Sequence, residues 1–88
     1  MNIKIIRTNT NLYIVGEVQR EGSKLIVKKP YDLFPTAEGI SIFPMDKQIL
    51  GKDIEEIVID IDSVIYSEEP SEKIVKAYQE ARSGIELL

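Results

Sequence analysis

Hydrophobic and polar residues alternate through much of this chain, most extensively from Glu56 to Tyr66. Ile57, Ile59, Ile61 and Ile65 fall on one parity, while Asp60 and Asp62 share the other with Val58, Val64 and Tyr66. A period of two sets one face against a core and leaves the other partly in water. β-Branched residues crowd a helical turn and suit a pleated strand. The run is long for a strand, which predicts a bend or bulge near Asp62-Ser63. A long bent strand with one apolar face suits a small barrel, where it can serve both halves of a curled sheet.

The remaining patterns supply partners for that strand. Residues 2–7 read as a strand, and Thr8 to Asn11 as a polar turn whose side chains bond their own backbone. In residues 12–19, Leu12, Ile14, Gly16 and Val18 share one face and Tyr13, Val15, Glu17 and Gln19 the other. Gly16 marks a sharp bend or a close backbone approach. Arg20 to Ser23 forms a hairpin turn, and Lys24 to Lys29 is the returning strand. Pro30 cannot donate to a ladder, so it ends that strand or confines it to an edge. Tyr31 to Pro35 reads as irregular chain, Ile40 to Met45 as a strand at an edge or bulge, and Asp46 to Asp53 as a loop.

After Tyr66 the period changes. Ser67 is placed to cap, Glu68, Glu69 and Pro70 suit a first helical turn, and Ile74, Val75, Tyr78 and Ala81 form a helical stripe. Gly84 fits the position just past a helix end. The expected fold is mainly β: a small, strongly bent, five-stranded antiparallel barrel with one C-terminal helix. One domain covers residues 1–88, with the barrel over about 2–66, the helix over about 68–83 and an apolar tail over 84–88.

Composition narrows the chemistry. The chain has no His and no Cys, so the commonest general base and the thiol nucleophile are missing, and its glycines are too scattered to cradle a phosphate. These features predict a protein that is not an enzyme and carries no cofactor. The Asp60-x-Asp62 pair could ligate a hard cation with Asp46 or Asp53, but such pairs more often keep a sheet face wet, so no metal site is expected. The absence of Cys fits a reducing cytoplasm, and no leader or spanning run is visible, so a soluble cytoplasmic protein without a membrane partner is expected.

Charge is distributed unevenly. The net charge is −4, yet residues 1–52 carry +3 and residues 53–88 carry −7. An acidic total disfavours a generic nucleic-acid binder, but the split allows one basic surface. The candidate surface is Arg20, Lys24, Lys28 and Lys29, with Tyr31 placed to stack on a base. The plainer reading has those lysines solvated at a strand end, with Tyr31 and Phe34 covering the barrel mouth.

Several stretches together resemble the Sm-like family. Ile14-Val15-Gly16-Glu17-Val18, a short turn and then Leu25-Ile26-Val27 are similar to its first strands. Leu25 to Pro30, Ile40 to Met45, Ile57 to Tyr66, and Glu69-Pro70 followed by a helix with Ala77-Tyr78 resemble the small Sm-like proteins of tailed cyanophage-type viruses. The resemblance implies a bent five-stranded sheet that assembles into a ring through its edge strands and binds single-stranded RNA. The chain departs from the family where nucleotides are held. The pocket's Asp and Asn positions fall on Gly22 and Ile26, no Arg-Gly motif lies between Glu56 and Tyr66, and the helix is C-terminal. No RNA-contact residue is therefore carried over from the family.

Two readings stand side by side. In one, a homo-oligomeric ring binds single-stranded RNA through the basic surface. In the other, a structural or adaptor ring binds a protein partner through the acidic helix and the tail, in a bacterial cytoplasm that could be virus-infected.

Overall fold

The computed structural model describes residues 2–83. Its strands are β1 (Ile3–Thr8), β2 (Tyr13–Glu21), β3 (Lys24–Thr36), β4 (Gly39–Pro44), β5 (Glu56–Asp60) and β6 (Val64–Glu68). A one-turn helix α1 (Lys47–Leu50) precedes β5, and α2 (Glu72–Ser83) follows β6. All pairings are antiparallel, in the order β4-β3-β2-β1-β6, with β5 on β3. The mainly β architecture and its C-terminal helix are as expected. Among the described residues the hydrogen-bonded path does not close into the expected barrel: it ends at β4 and at β6, with β5 off it.

The strands follow from local chemistry. Gly22, at φ +63°, turns β2 into β3 so that Glu21 faces Lys24. Such a positive φ costs glycine little and favours a tight hairpin. β3 and β4 join through Ala37-Glu38, where the Thr36 hydroxyl accepts from the Glu38 N–H and donates to the Gly39 carbonyl. The Thr8 hydroxyl accepts from the Leu12 N–H in the first turn.

Expectation and structure part in several places. The long strand is two strands, because a 3-10 turn at Ile61–Ser63 interrupts it where the bend was predicted. That turn is tied on both sides: Ile61 N–H donates to the Ser23 carbonyl at 2.9 Å and Asn9 N–H to the Ser63 carbonyl at 2.8 Å. It also shifts the phase, so Val64 packs in the core while Ile65 is exposed. This interruption accounts for six strands in place of five. Leu12 lies just before β2 and is exposed rather than joining the face of Ile14.

Pro30 does not end its strand. β3 pairs with β5 over Lys24 to Lys28 and with β4 over Tyr31 to Thr36, so Pro30 sits where the neighbour changes and no donor is required. Lys29, at φ +53°, turns the chain there. Gly16 lies opposite, at a register shift in β2, where a Cβ would fall 2.6 Å from Val27 Cγ1 and 2.9 Å from the Lys28 carbonyl. Residues 31–35 are therefore strand, not irregular chain.

The helix starts at Glu72 rather than near residue 68, because residues 64–68 are held on β1. Ser71, not Ser67, caps it: the Ile74 N–H donates to its hydroxyl at 3.4 Å. The loop expected over 46–53 contains α1. The apolar tail and Gly84 lie outside the described residues.

Two cores form on opposite faces of β1, β2 and β3. Ile6, Ile14, Val18, Leu25 and Val27 pack with Met45, Ile57, Ile59 and Val64. This is the enclosed side, over which β5 and β6 fold. On the other side Ile3, Val15, Tyr31 and Leu33 are covered by Tyr78, Val75 and Ala81 of α2. The helical stripe is thus packing surface, as its spacing predicted.

Candidate functional site

The five residues singled out in the sequence do not form one surface: Arg20 and Lys28 line one hollow beside Glu17, and Lys29 and Tyr31 line another beside Asp53 and Arg82. Across β2, β3 and β5 the register sets Lys24 between Glu21 and Asp60, and Lys28 between Glu17 and Glu56. Between those two rows lie Gln19, Ile26 and Val58. Each lysine of this face therefore has a carboxylate on both flanking strands. Lys24 hydrogen-bonds Asp60, and Lys29 bonds Glu55 Oε1 at 2.5 Å. A phosphate at this face would compete with carboxylates already in place. Such exposed pairs stabilise the fold by only about 0–1 kcal/mol each, but they cancel the local potential that steers an anion.

Arg20 lies opposite Leu25, on the other parity, and its Nε donates to the Gly22 carbonyl at 2.8 Å. Tyr31 is no stacking platform: it is 9% exposed, beneath α2. Its hydroxyl donates to the Ala81 carbonyl at 3.4 Å, and its ring meets Tyr78 edge-on at 5.5 Å. Burial raises the Tyr31 hydroxyl above its ordinary pKa, helped by Asp53. The position was read as a strand end because the helix that covers it is distant in sequence.

Around Tyr78 the helix is fixed to the bend. Its hydroxyl donates to the Lys29 carbonyl at 2.7 Å, at the left-handed turn of β3. Arg82 lies over the Tyr78 ring at 5.4 Å and pairs with Glu17. Asp60 is occupied by Lys24 and Asp53 by Lys47 at 3.4 Å. Among the described residues no group of three or more acidic side chains could hold a metal ion. No described helix is long and apolar enough to cross a membrane.

Two other surfaces stand out. The first is the pair of sheet margins that end the strand path. These are β4, whose only strand neighbour among the described residues is β3, and β6, which has only β1; β5, off the path, likewise has only β3. Both ends of the path carry uncovered apolar side chains: Ile40 and Phe43 on β4 are 49% and 56% exposed, and Ile65 and Tyr66 on β6 are 55% and 36% exposed.

The second surface lies on the face of the β3–β4 hairpin away from Leu33 and Ile42. There Phe34 and Phe43, 6.1 Å apart between ring centres, line a groove of about 540 Å³. Asp32, Asp46, Lys47 and Ile49 complete it. Asp32 has its pKa raised by burial and then by the charge of Asp46. Sequence reasoning passed over this groove, although Phe34 and Phe43 sit on the parity opposite Leu33 and Ile42. Pro35 and Pro44 beside the two rings disguised the alternation.

No protein-family model matches the chain, and no curated protein matches it.

Proposed function

We propose that this chain is a non-catalytic assembly module, an Sm-like small barrel whose copies join through their sheet margins into a homo-oligomeric ring that serves as a scaffold for protein. One observation carries the reading: among the described residues both ends of the strand order lack a second strand partner and are apolar-flanked, at Ile40 and Phe43 on β4 and at Ile65 and Tyr66 on β6. Unpaired margins template pairing with another chain, and two different margins joined head to tail close into a ring when the rotation allows. The interleaved acids of the Lys24–Lys28 face favour the scaffold over the RNA-binding version of the same ring.

Light scattering tests the assembly. The expected mass is a small multiple of 10.0 kDa, falling to a single chain in the double variant Ile65→Lys/Tyr66→Lys with unchanged circular dichroism. A wild-type monomer at micromolar concentration overturns the reading. Titration with labelled oligo-U and oligo-A is expected to give no binding at low salt. Binding that weakens with added salt would restore the nucleic-acid role.

A further inference from the structure

The Phe34–Phe43 groove is a feature that the cores do not account for, and of its two rings only Phe43 also flanks a sheet margin. Both rings are about half exposed, at 48% and 56%, and Ile49 across from them is 82% exposed. Large aromatic side chains left on the surface as a contiguous patch mark binding sites more often than isolated ones do. The volume, about 540 Å³, lies within the range of roughly 300–1,000 Å³ that ligand clefts occupy.

Charge decides what fits. Two carboxylates, Asp32 and Asp46, line this apolar groove. They are near enough for Asp46 to disfavour ionisation of Asp32, which burial already disfavours. The one cation in the lining, Lys47, is engaged by Asp53 outside the groove. A cation from elsewhere would relieve the repulsion and find an aromatic face beside it. The chain's own tail does not answer this need, since the charge it carries among Ile85, Leu87 and Leu88 is Glu86, of the same sign.

We infer that the groove binds a protein segment in which arginine or lysine is flanked by large apolar side chains, the apolar groups seating against Phe34, Phe43 and Ile49 and the cation between Asp32 and Asp46. This names the partner of the proposed scaffold and rests on that reading, although the groove itself lies within one chain.

Fluorescence anisotropy with two labelled peptides tests it. One peptide alternates arginine with leucine and phenylalanine, and its counterpart has glutamate for arginine. The arginine peptide is expected to bind saturably and the glutamate peptide at least tenfold more weakly. Asp32→Asn/Asp46→Asn, which keeps the shape of both side chains, is expected to weaken the arginine peptide at least tenfold, and Phe34→Ala to do the same. Equal affinity for the two peptides, no binding of the arginine peptide, or no effect of the double Asn variant would overturn the inference. So would loss of assembly in Phe34→Ala, which would assign the groove to a second copy. Repeating the titration on the Ile65→Lys/Tyr66→Lys variant separates the two proposals. Binding retained by a monomer leaves the inference standing without the ring, and an intact ring that binds neither peptide sinks the inference alone.

Discussion

Replacing Tyr78 by Phe removes one oxygen from the most enclosed point of the molecule. The ring stays, with its burial and its edge-on contact to Tyr31. What goes is the donor at 2.7 Å from the Lys29 carbonyl, together with the hydrogen bond that the hydroxyl accepts from Arg82. That carbonyl belongs to a residue at φ +53°, between the stretches of β3 that pair with β5 and with β4. Leaving a buried acceptor unpaired costs about 1–3 kcal/mol. For a domain of this size that lowers the melting temperature by about 4–24 °C, at about 4–8 °C per kcal/mol.

A pH series gives a second, independent readout of the same hydroxyl. Burial, with lesser contributions from Glu17 and Tyr31, pushes the Tyr78 pKa up to about 12 against an opposing pull from Arg82. The folded chain therefore keeps this proton where the unfolded chain, at 10.0, has lost it. The stabilisation is complete below pH 10 and is lost as pH rises through about 12. Its size is on the order of 2–3 kcal/mol, at about 1.36 kcal/mol per unit. Urea titrations at pH 7, 10 and 12 measure both effects. The variant is expected to be less stable at pH 7, with the gap to wild type narrowing at high pH. A variant as stable as wild type at pH 7, with the same alkaline decline, would refute the docking of α2 on the bend of β3.

Gly16→Ala puts a methyl 2.6 Å from Val27 Cγ1 and 2.9 Å from a backbone carbonyl, so the β2 bend must open. A loss of about 1–3 kcal/mol in chemical denaturation is expected. Asp32→Asn mimics the protonated acid at a site where burial and Asp46 disfavour the charge. It is expected to raise the melting temperature at pH 7. The gain should vanish below the ordinary carboxylate value of 3.8, where wild-type Asp32 is itself protonated in both states.

Much of this architecture was legible because it is local. Alternation in Glu56 to Tyr66, the break at Asp62-Ser63, the Gly22 hairpin and the Val75–Tyr78–Ala81 stripe each need only a few neighbouring residues. What was missed depends on distant pairing. Pro30 looks like a terminator until β5 and β4 are seen to share the same side of β3. Lys24 and Lys28 look like a basic stripe until Asp60 and Glu56 are placed beside them. Tyr31 looks available for stacking until Ala81 and Tyr78, from the other end of the chain, come down on it. The groove fell out of view for a similar reason, since Phe34 and Phe43 become neighbours only when the β3–β4 register is known.

The pairing of β1 with β6 has a kinetic side. Ile5 meets Glu68, and Arg7 meets Tyr66, so β1 waits for β6, which is made after every other strand of this sheet. Until then its outer row of amides has no mate. Closing so long a span is entropically expensive and is rewarded only once the intervening hairpins are in place. The chain should accordingly acquire its native form late and in one concerted step, with nascent fragments that end before Val64 left open to clumping.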